Sequence, residues 1–239
     1  MRLDKFLSNM GLGSRTDVKR DLARGAITVN GRVEKSPKVH IDPEVDEVFC
    51  GTKRISYVPL VYLMLNKPQG YISATEDRNM QTVLDLVPKG YRHYDLFPAG
   101  RLDRDTVGLL LLTNDGPLAH RLLSPKYHVG KTYRVTAERP LSDADLDCLQ
   151  SGVVIADNYT TLPAKAVRVS EDPPVIDLTI REGKYHQVKE MLLAVDNCVV
   201  FLERLVFGPL LLDSQLERGQ LRPLSVKEIE ALYASTQEE

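Results

Sequence analysis

The chain opens "MRLDKFLSNMGLGSRTDVKRDLARGAITVNGRVEK", in which a helical spacing of apolar residues gives way to a strand-like alternation. Leu3, Phe6, Leu7 and Met10 fall at i, i+3, i+4 and i+7, one face of a short helix that stops at Gly11 or Gly13. Ser14 is placed to cap a second helix, with Asp17 in its first turn, Val18 and Leu22 inward and Gly25 at its end. Alternation through "AITVNGRVE" around Asn30-Gly31 predicts a hairpin, because both central residues of a type I′ turn need positive φ. Two helices and a hairpin make a small unit of their own.

From Phe49 to Pro59 the pattern loosens into "FCGTKRISYVP", which predicts a linker over residues 49–59. A second domain, residues 60–239, then begins with the strand "LVYLMLNKPQGYIS". Strand-like runs follow ("GLLLLT", "KTYRVTAE", "AKAVRVS", "VIDLTI", "CVVFLERLVFG"), interleaved with helix-like ones ("GPLAHRLLS", "SDADLDCLQSG", "YHQVKEMLLAV", "SVKEIEALYAS"). Strands joined by short turns favour antiparallel pairing, so the expected class is α+β with a mixed, mostly antiparallel sheet. In "YHQVKEMLLAV", Val188, Met191, Leu192 and Val195 share the buried helix face, which leaves His186 and Lys189 together on another side. Ser225, with Glu228 three positions on, caps the last helix.

Composition narrows the class. The 239 residues are 43% hydrophobic, enough for a full core with room for a small companion domain. Cys50, Cys148 and Cys198 lie far apart without a CxxC pairing, as thiols of a reducing compartment do. The longest uncharged apolar stretch, "ISYVPLVYLMLN", is too short for a membrane span of about 20 residues. A soluble cytoplasmic protein is expected. Net charge is −2, but unevenly spread. Residues 1–40 hold nine Lys and Arg against Asp4, Asp17, Asp21 and Glu34, a balance of +5 that leaves −7 for the remainder. A basic head on an acidic body fits a polyanion partner, since clustered Lys and Arg release counterions from a phosphate backbone.

The chemistry concentrates in "FPAGRLDRDTVGLLLLTNDG", Phe97 to Gly116, where acids and arginines abut a buried apolar run. "GRLDRDT" must be an irregular turn feeding that run, and turns fixed to rigid elements commonly carry reacting groups. A carboxylate there beside a Lys or Arg would stay ionised and could serve as nucleophile or base. Two other readings compete: Asp103 or Asp105 tying down the turn, or "DRD" clamping a divalent ion and a diphosphate. No glycine-rich phosphate loop or further acid cluster accompanies it, which weakens the metal reading.

The first 48 residues, through "RLDKFLS", "GLGSRTDVKRDLARGAITVNGRV" and the later "VDEV", resemble the RNA-binding module of the fourth protein of the small ribosomal subunit. That resemblance implies RNA contacts from Arg15, Lys19, Arg20 and Arg24. Over nearly the whole chain, "LNKPQGYISATED", "GRLDRDTVGLLLLTNDG", "KTYRVT" and "LTIREGKYHQVKEML", in that order, look like the pseudouridine synthases of the RsuA group. The resemblance implies Asp103 as the catalytic aspartate, Tyr133 as its aromatic partner, Lys189 as the basic residue paired with the aspartate, and Arg101 as the arginine that helps place a flipped nucleotide. Lys67, in the "NKPQG" turn, is read either as a phosphate contact or as purely structural. Where many relatives have two consecutive basic residues, Glu190 follows Lys189 here and removes one RNA contact.

Isomerising uridine adds and removes no atoms, so the resemblance implies no cofactor and no metal. It also implies ribosomal RNA as partner, most nearly 16S rRNA at uridine 516 in a partly assembled small subunit, bound by a monomer with mobile domains. A synthase acting on 23S rRNA, and a non-catalytic assembly factor that keeps the fold, are the alternatives.

Overall fold

The helical spacing of the first ten residues is realised as α1 (Leu3–Asn9), and the Ser14 cap opens α2 (Arg15–Ala23) with a reciprocal bond to Asp17. The structure, a computed structural model, describes residues 1–237 in two units. The first comprises Met1–Val61 together with Val87–Leu96. Its sheet has the order β2-β1-β3-β4, from β1 (Ile27–Val29), β2 (Arg32–Val33), β3 (Val48–Cys50) and β4 (Lys53–Ile55). Asn30 and Gly31 both take positive φ, 51° and 77°, as the hairpin turn requires. Leu3, Phe6, Leu7, Val18, Leu22, Ile27, Ile41 and Val48 form its core.

Two features depart from expectation. Residues 49–59 are not simply a linker: β3 and β4 pass through them, turning at Gly51 (φ 59°), with Val48 and Ile55 buried in the core. Three-residue strands are too short for a two-residue period to stand out, which is why the sequence reads as loose. Val87–Leu96, from the middle of the second domain's sequence, also packs in the first unit, where a Cβ on Gly11 would lie 2.6 Å from the His93 ring.

The second unit holds Tyr62–Leu86 and the chain from Phe97 onward. In chain order its elements are β5 (Tyr62–Lys67), β6 (Phe97–Pro98), β7 (Val107–Thr113), α3 (Gly116–Leu123), β8 (Lys131–Ala137), α4 (Asp143–Ser151), β9 (Val154–Ile155), β10 (Tyr159–Thr160) and β11 (Lys165–Glu171). They continue with β12 (Pro174–Ile180), α5 (Gln187–Leu193), β13 (Val199–Phe207), β14 (Leu210–Leu211), β15 (Leu221–Pro223) and α6 (Val226–Ala234). The main sheet runs β11-β12-β8-β13-β7-β5-β15, with β14 beside β13 and β6 beside β7. Among the described pairs of strands only β13 and β7 are parallel, with one further parallel bridge between Ile72 and Thr82, so the α+β, mostly antiparallel expectation holds. No described helix is long and apolar enough to cross a membrane.

β5 and β7 are buried along their whole length. Tyr62, Met64, Leu109 and Leu111 pack with Leu118 and Leu122 of α3 and Leu232 of α6. Beneath those helices Asp115 caps α3 through the Leu118 N–H (3.0 Å) and accepts hydroxyls from Tyr62 (2.7 Å) and Tyr233 (2.5 Å), joining β5, α3 and α6 at one carboxylate.

At the parallel pair, Gly108 faces Arg204 with φ +99°, and a Cβ there would lie 2.3 Å from the Arg204 carbonyl oxygen. Only glycine permits that approach. Nearby strands bury three cations: Lys67 at the end of β5, Lys131 at the start of β8 and Arg204 in β13. Burial pushes both lysines down to about 8, and Arg204's charge adds to the effect; Asp103 and Asp105 oppose it at Lys67, and Glu182 opposes it at Lys131.

Gly108→Ala should therefore cost about 3 kcal/mol or more, read as a lower midpoint in urea unfolding. The lysines give a pH signature. Between about pH 8 and 10.5 the folded chain releases these protons while the unfolded chain still holds them, so their contribution to stability rises with pH. The stability of the wild type relative to Lys131→Met should grow by up to about 1.4 kcal/mol per pH unit across that window. Urea unfolding at pH 7, 8, 9 and 10 measures it, and a pH-independent difference contradicts it.

Candidate active site

The sequence loop "GRLDRDT" joins β6 to β7 and is held from below. The fully buried Lys67 ammonium donates to the carbonyls of Asp103 (2.9 Å), Thr106 (2.8 Å) and Pro68 (3.2 Å). Ser73 donates its hydroxyl to the Leu102 carbonyl (2.9 Å) and accepts the Leu102 N–H (3.0 Å), closing a reciprocal pair. Gly70 of the "NKPQG" turn donates its N–H to the Arg104 carbonyl (2.8 Å) and accepts from Arg104 Nε (3.2 Å). The turn is thus structural, and Lys67 cannot meet a phosphate: its donors are spent on loop carbonyls and its side chain sees no solvent. This corrects the phosphate-contact reading of Lys67.

Above the loop, Lys189 of α5 places Nζ 3.1 Å from Asp103 Oδ2 and 2.8 Å from Asp105 Oδ1. Burial works against the Lys189 charge, but hydrogen bonds and charge from Asp105 and Asp103 outweigh it and hold the ammonium above its ordinary value. Burial likewise pushes Asp105 up, and Lys189 brings it below the usual carboxylate range. The ammonium occupies the place between the two carboxylates where the metal reading of "DRD" would put an ion.

His186 also reaches this carboxylate, with Nε2 3.5 Å from Asp103 Oδ1. It takes φ +49° at the N-cap of α5, a conformation that non-glycine residues seldom adopt and that turns its ring toward the loop. The i, i+3 relation of His186 and Lys189 was visible in the sequence; their shared partner was not.

Asp103, Lys189, His186, Arg101 and Tyr133 all line one cleft of about 870 Å³. Arg101 is exposed at its edge, whereas Tyr133 on β8 is buried in the wall, directly opposite Arg204 on β13. Arg204 was missed in the sequence, although a charged pair, Glu203-Arg204, inside the apolar run "VVFLERLVFG" is the signal that marks it. Its Nε donates to the Leu109 carbonyl (2.7 Å) and its guanidinium lies 5.0 Å from the Phe207 ring centre. Nη2 of Arg204 and the Thr106 hydroxyl are buried with no protein partner. Both residues line the cleft, so its floor carries hydrogen-bonding capacity that the fold itself leaves unused.

In the first unit Arg15, Lys19, Arg20 and Arg24, along α2 and at its C-cap, are all exposed. Arg20 is paired with Asp17 at 2.8 Å.

A carboxylate flanked by a lysine and a histidine, in a cleft with an aromatic wall, suits covalent or acid–base chemistry on a planar ligand. Comparison with known proteins gives this geometry a family. Residues 61–194 match the family model described as RNA pseudouridylate synthase, and residues 1–46 that of the S4 domain. The chain is 50% identical to "Uncharacterized RNA pseudouridine synthase YtzG" of Bacillus subtilis, over 97% of this chain and 98% of that one. It is 44% identical to "Ribosomal small subunit pseudouridine synthase A" of Yersinia pestis, over 98% and 99% of the two chains. The protein of the same name from Escherichia coli K12 is 40% identical, over 96% and 98%. A crystal structure titled as a pseudouridylate synthase superposes with a TM-score of 0.68 at 38% identity, covering 97% of this chain and 99% of that one. A synthase model matching more than half of the chain, relatives similar from end to end and the same fold in a solved structure together show that this chain belongs to the RNA pseudouridylate synthase family and carries an S4 domain at its N-terminus.

Proposed function

We propose that the chain converts a uridine of ribosomal RNA to pseudouridine, with Asp103 as the reacting carboxylate. The observation that carries this is the Asp103–Lys189 pair, 3.1 Å apart, on a braced loop at the cleft. The names of two relatives, ribosomal small subunit pseudouridine synthase A, support ribosomal RNA as the substrate and favour the 16S molecule. Uridine 516 of 16S rRNA is the target we assign.

The reaction breaks the bond from ribose C1′ to N1 and forms one from C1′ to C5. The electron pair of the broken bond leaves with the uracil, and the C5 proton is lost once C5 is joined to C1′. Asp103 either attacks C1′ directly or removes the 2′ proton to give a glycal, and both routes need one carboxylate at the sugar. Lys189 compensates its charge where water is excluded. Tyr133 packs on the flipped base, and Arg101 at the edge of the cleft helps hold the extruded nucleotide. The uridine must leave its stack, which costs a few kcal/mol in a helix and less in a loop. That favours RNA in a partly assembled small subunit, bound by a monomer. Arg15, Lys19, Arg20 and Arg24 of α2 supply phosphate contacts, with Arg20 shared with Asp17.

Tritium release from 5-position-labelled uridine, in 16S transcript and in partly assembled small subunits, tests the chemistry. The wild type should release tritium, whereas Asp103→Asn should release none while binding RNA within a few-fold of the wild type. Turnover by Asp103→Asn would remove Asp103 from the reaction; no release by the wild type would leave the assembly-factor reading. Replacing Arg15, Lys19 and Arg24 together with alanine should lower the slope of log affinity against log salt by up to about three. An unchanged slope would refute their docking role.

A further inference from the structure

Tyr185 is 81% exposed, although the residues on both sides of it are fixed. Its ring stacks on His186, with centres 3.8 Å apart and planes 19° apart. His186 in turn is held by its left-handed backbone and by its approach to Asp103. The turn that presents the pair is tied at Glu182, a buried carboxylate that accepts from the Tyr159 hydroxyl (2.6 Å), the Leu162 N–H (2.9 Å) and Gln187 Nε2 (2.7 Å). Gln187 Oε1 accepts the Lys184 N–H (2.9 Å), and the Lys184 ammonium lies 4.1 Å from the Tyr159 ring centre. So much fixing of a turn that leaves one face of Tyr185 open calls for a ligand on that face.

The surroundings say which kind. Tyr185 and His186 belong to the same cleft as Asp103, so whatever lies on the ring is continuous with what lies in the cleft. Arg181 and Lys184 are exposed on the same turn, and Arg101 and Arg104 are exposed on the Asp103 loop of the same cleft. A flat aromatic face among cations, one residue from a group at the reacting carboxylate, fits a nucleobase and its phosphates. A nucleic acid is favoured over a peptide or lipid by the cations Arg101, Arg104, Arg181 and Lys184, which line the same cleft as the ring.

We propose that the Tyr185–His186 stack is a second nucleotide subsite, which holds the base adjacent to the target uridine and replaces the stacking that base loses when the uridine flips out. Lys184 and Arg181 meet the phosphates of that nucleotide. The His186 contact couples the subsite to Asp103. Because every base has a π-face, the subsite takes any base and selects for an unstacked neighbour, not for a sequence. The proposal rests on the isomerase reading above.

The test uses 16S transcripts spanning uridine 516, intact or with an abasic site on its 5′ or its 3′ side, and full-length wild type, Tyr185→Ala, Tyr185→Leu and Tyr185→Phe. With intact RNA, Tyr185→Ala and Tyr185→Leu should raise KM roughly 5- to 100-fold, the span expected for one base–aromatic stack, with kcat within about 2-fold. Tyr185→Phe should behave as wild type. An abasic site on one side should cost the wild type the same factor and cost Tyr185→Ala nothing more, while exchanging that base for another should cost neither. Equal losses from the abasic site in wild type and Tyr185→Ala would overturn the subsite, as would a loss confined to kcat. A readout without turnover places 2-aminopurine at the same neighbouring position: binding of wild type should quench it and binding of Tyr185→Ala should not, and equal quenching overturns the proposal. Failure of the isomerase reading shows separately, as absence of tritium release by the wild type.

Discussion

A buried ammonium under a loop of carbonyls is the contact on which the site depends. The chain must turn sharply between β6 and β7 while pointing Asp103 away from the core, and a turn of that kind leaves carbonyl oxygens facing inward with no strand to receive them. Lys67 satisfies several of them from one nitrogen. Its desolvation is partly offset by the nearby Asp103 and Asp105 charges, so the acids of the loop and the lysine beneath it attract one another. The "NKPQG" turn adds the Gly70 and Arg104 bonds, and Ser73 fixes Leu102, so the Asp103 carboxylate stands on a platform made by residues 29 to 36 positions upstream of their partners.

The sheet serves the same end from the other side. Gly108 lets β7 and β13 run side by side at a distance no other residue allows, and that puts Arg204 directly beside both the Asp103 loop and Tyr133. From one parallel contact the cleft obtains its cationic floor. Its far wall comes from α5, whose N-cap His186 and first-turn Lys189 reach the same acid.

How much of this was legible depended on whether the signal was local. Capping at Ser14 and Ser225, the Asn30-Gly31 turn and the buried face of α5 are short-range, and the structure shows each where the sequence placed it. Asp103 and Lys189 were named from motifs, and the structure brings their charged groups together. Lys67 was left between two roles, because nothing in a pentapeptide tells whether a lysine points out to phosphate or in toward a carbonyl 36 positions away. Arg204 was passed over for the same reason: its partners are Gly108, Leu109 and Tyr133, all supplied by register and not by neighbours in the chain. Strands β3 and β4 were hidden by brevity, since three residues show no period.

The membership of Val87–Leu96 in the first unit has a consequence for how such chains can be rearranged. The chain leaves the basic unit after Val61, returns to it at Val87 and leaves again after Leu96, so the unit is not one contiguous stretch. No single cut separates it whole. A fusion that transplants residues 1–61 onto another body would arrive without the ten-residue piece that sets His93 against Gly11, and a truncated body would keep that piece with nothing to cover it. Any exchange of the S4-bearing unit between relatives has to move two segments together, which ties that unit to its own chain through ordinary recombination.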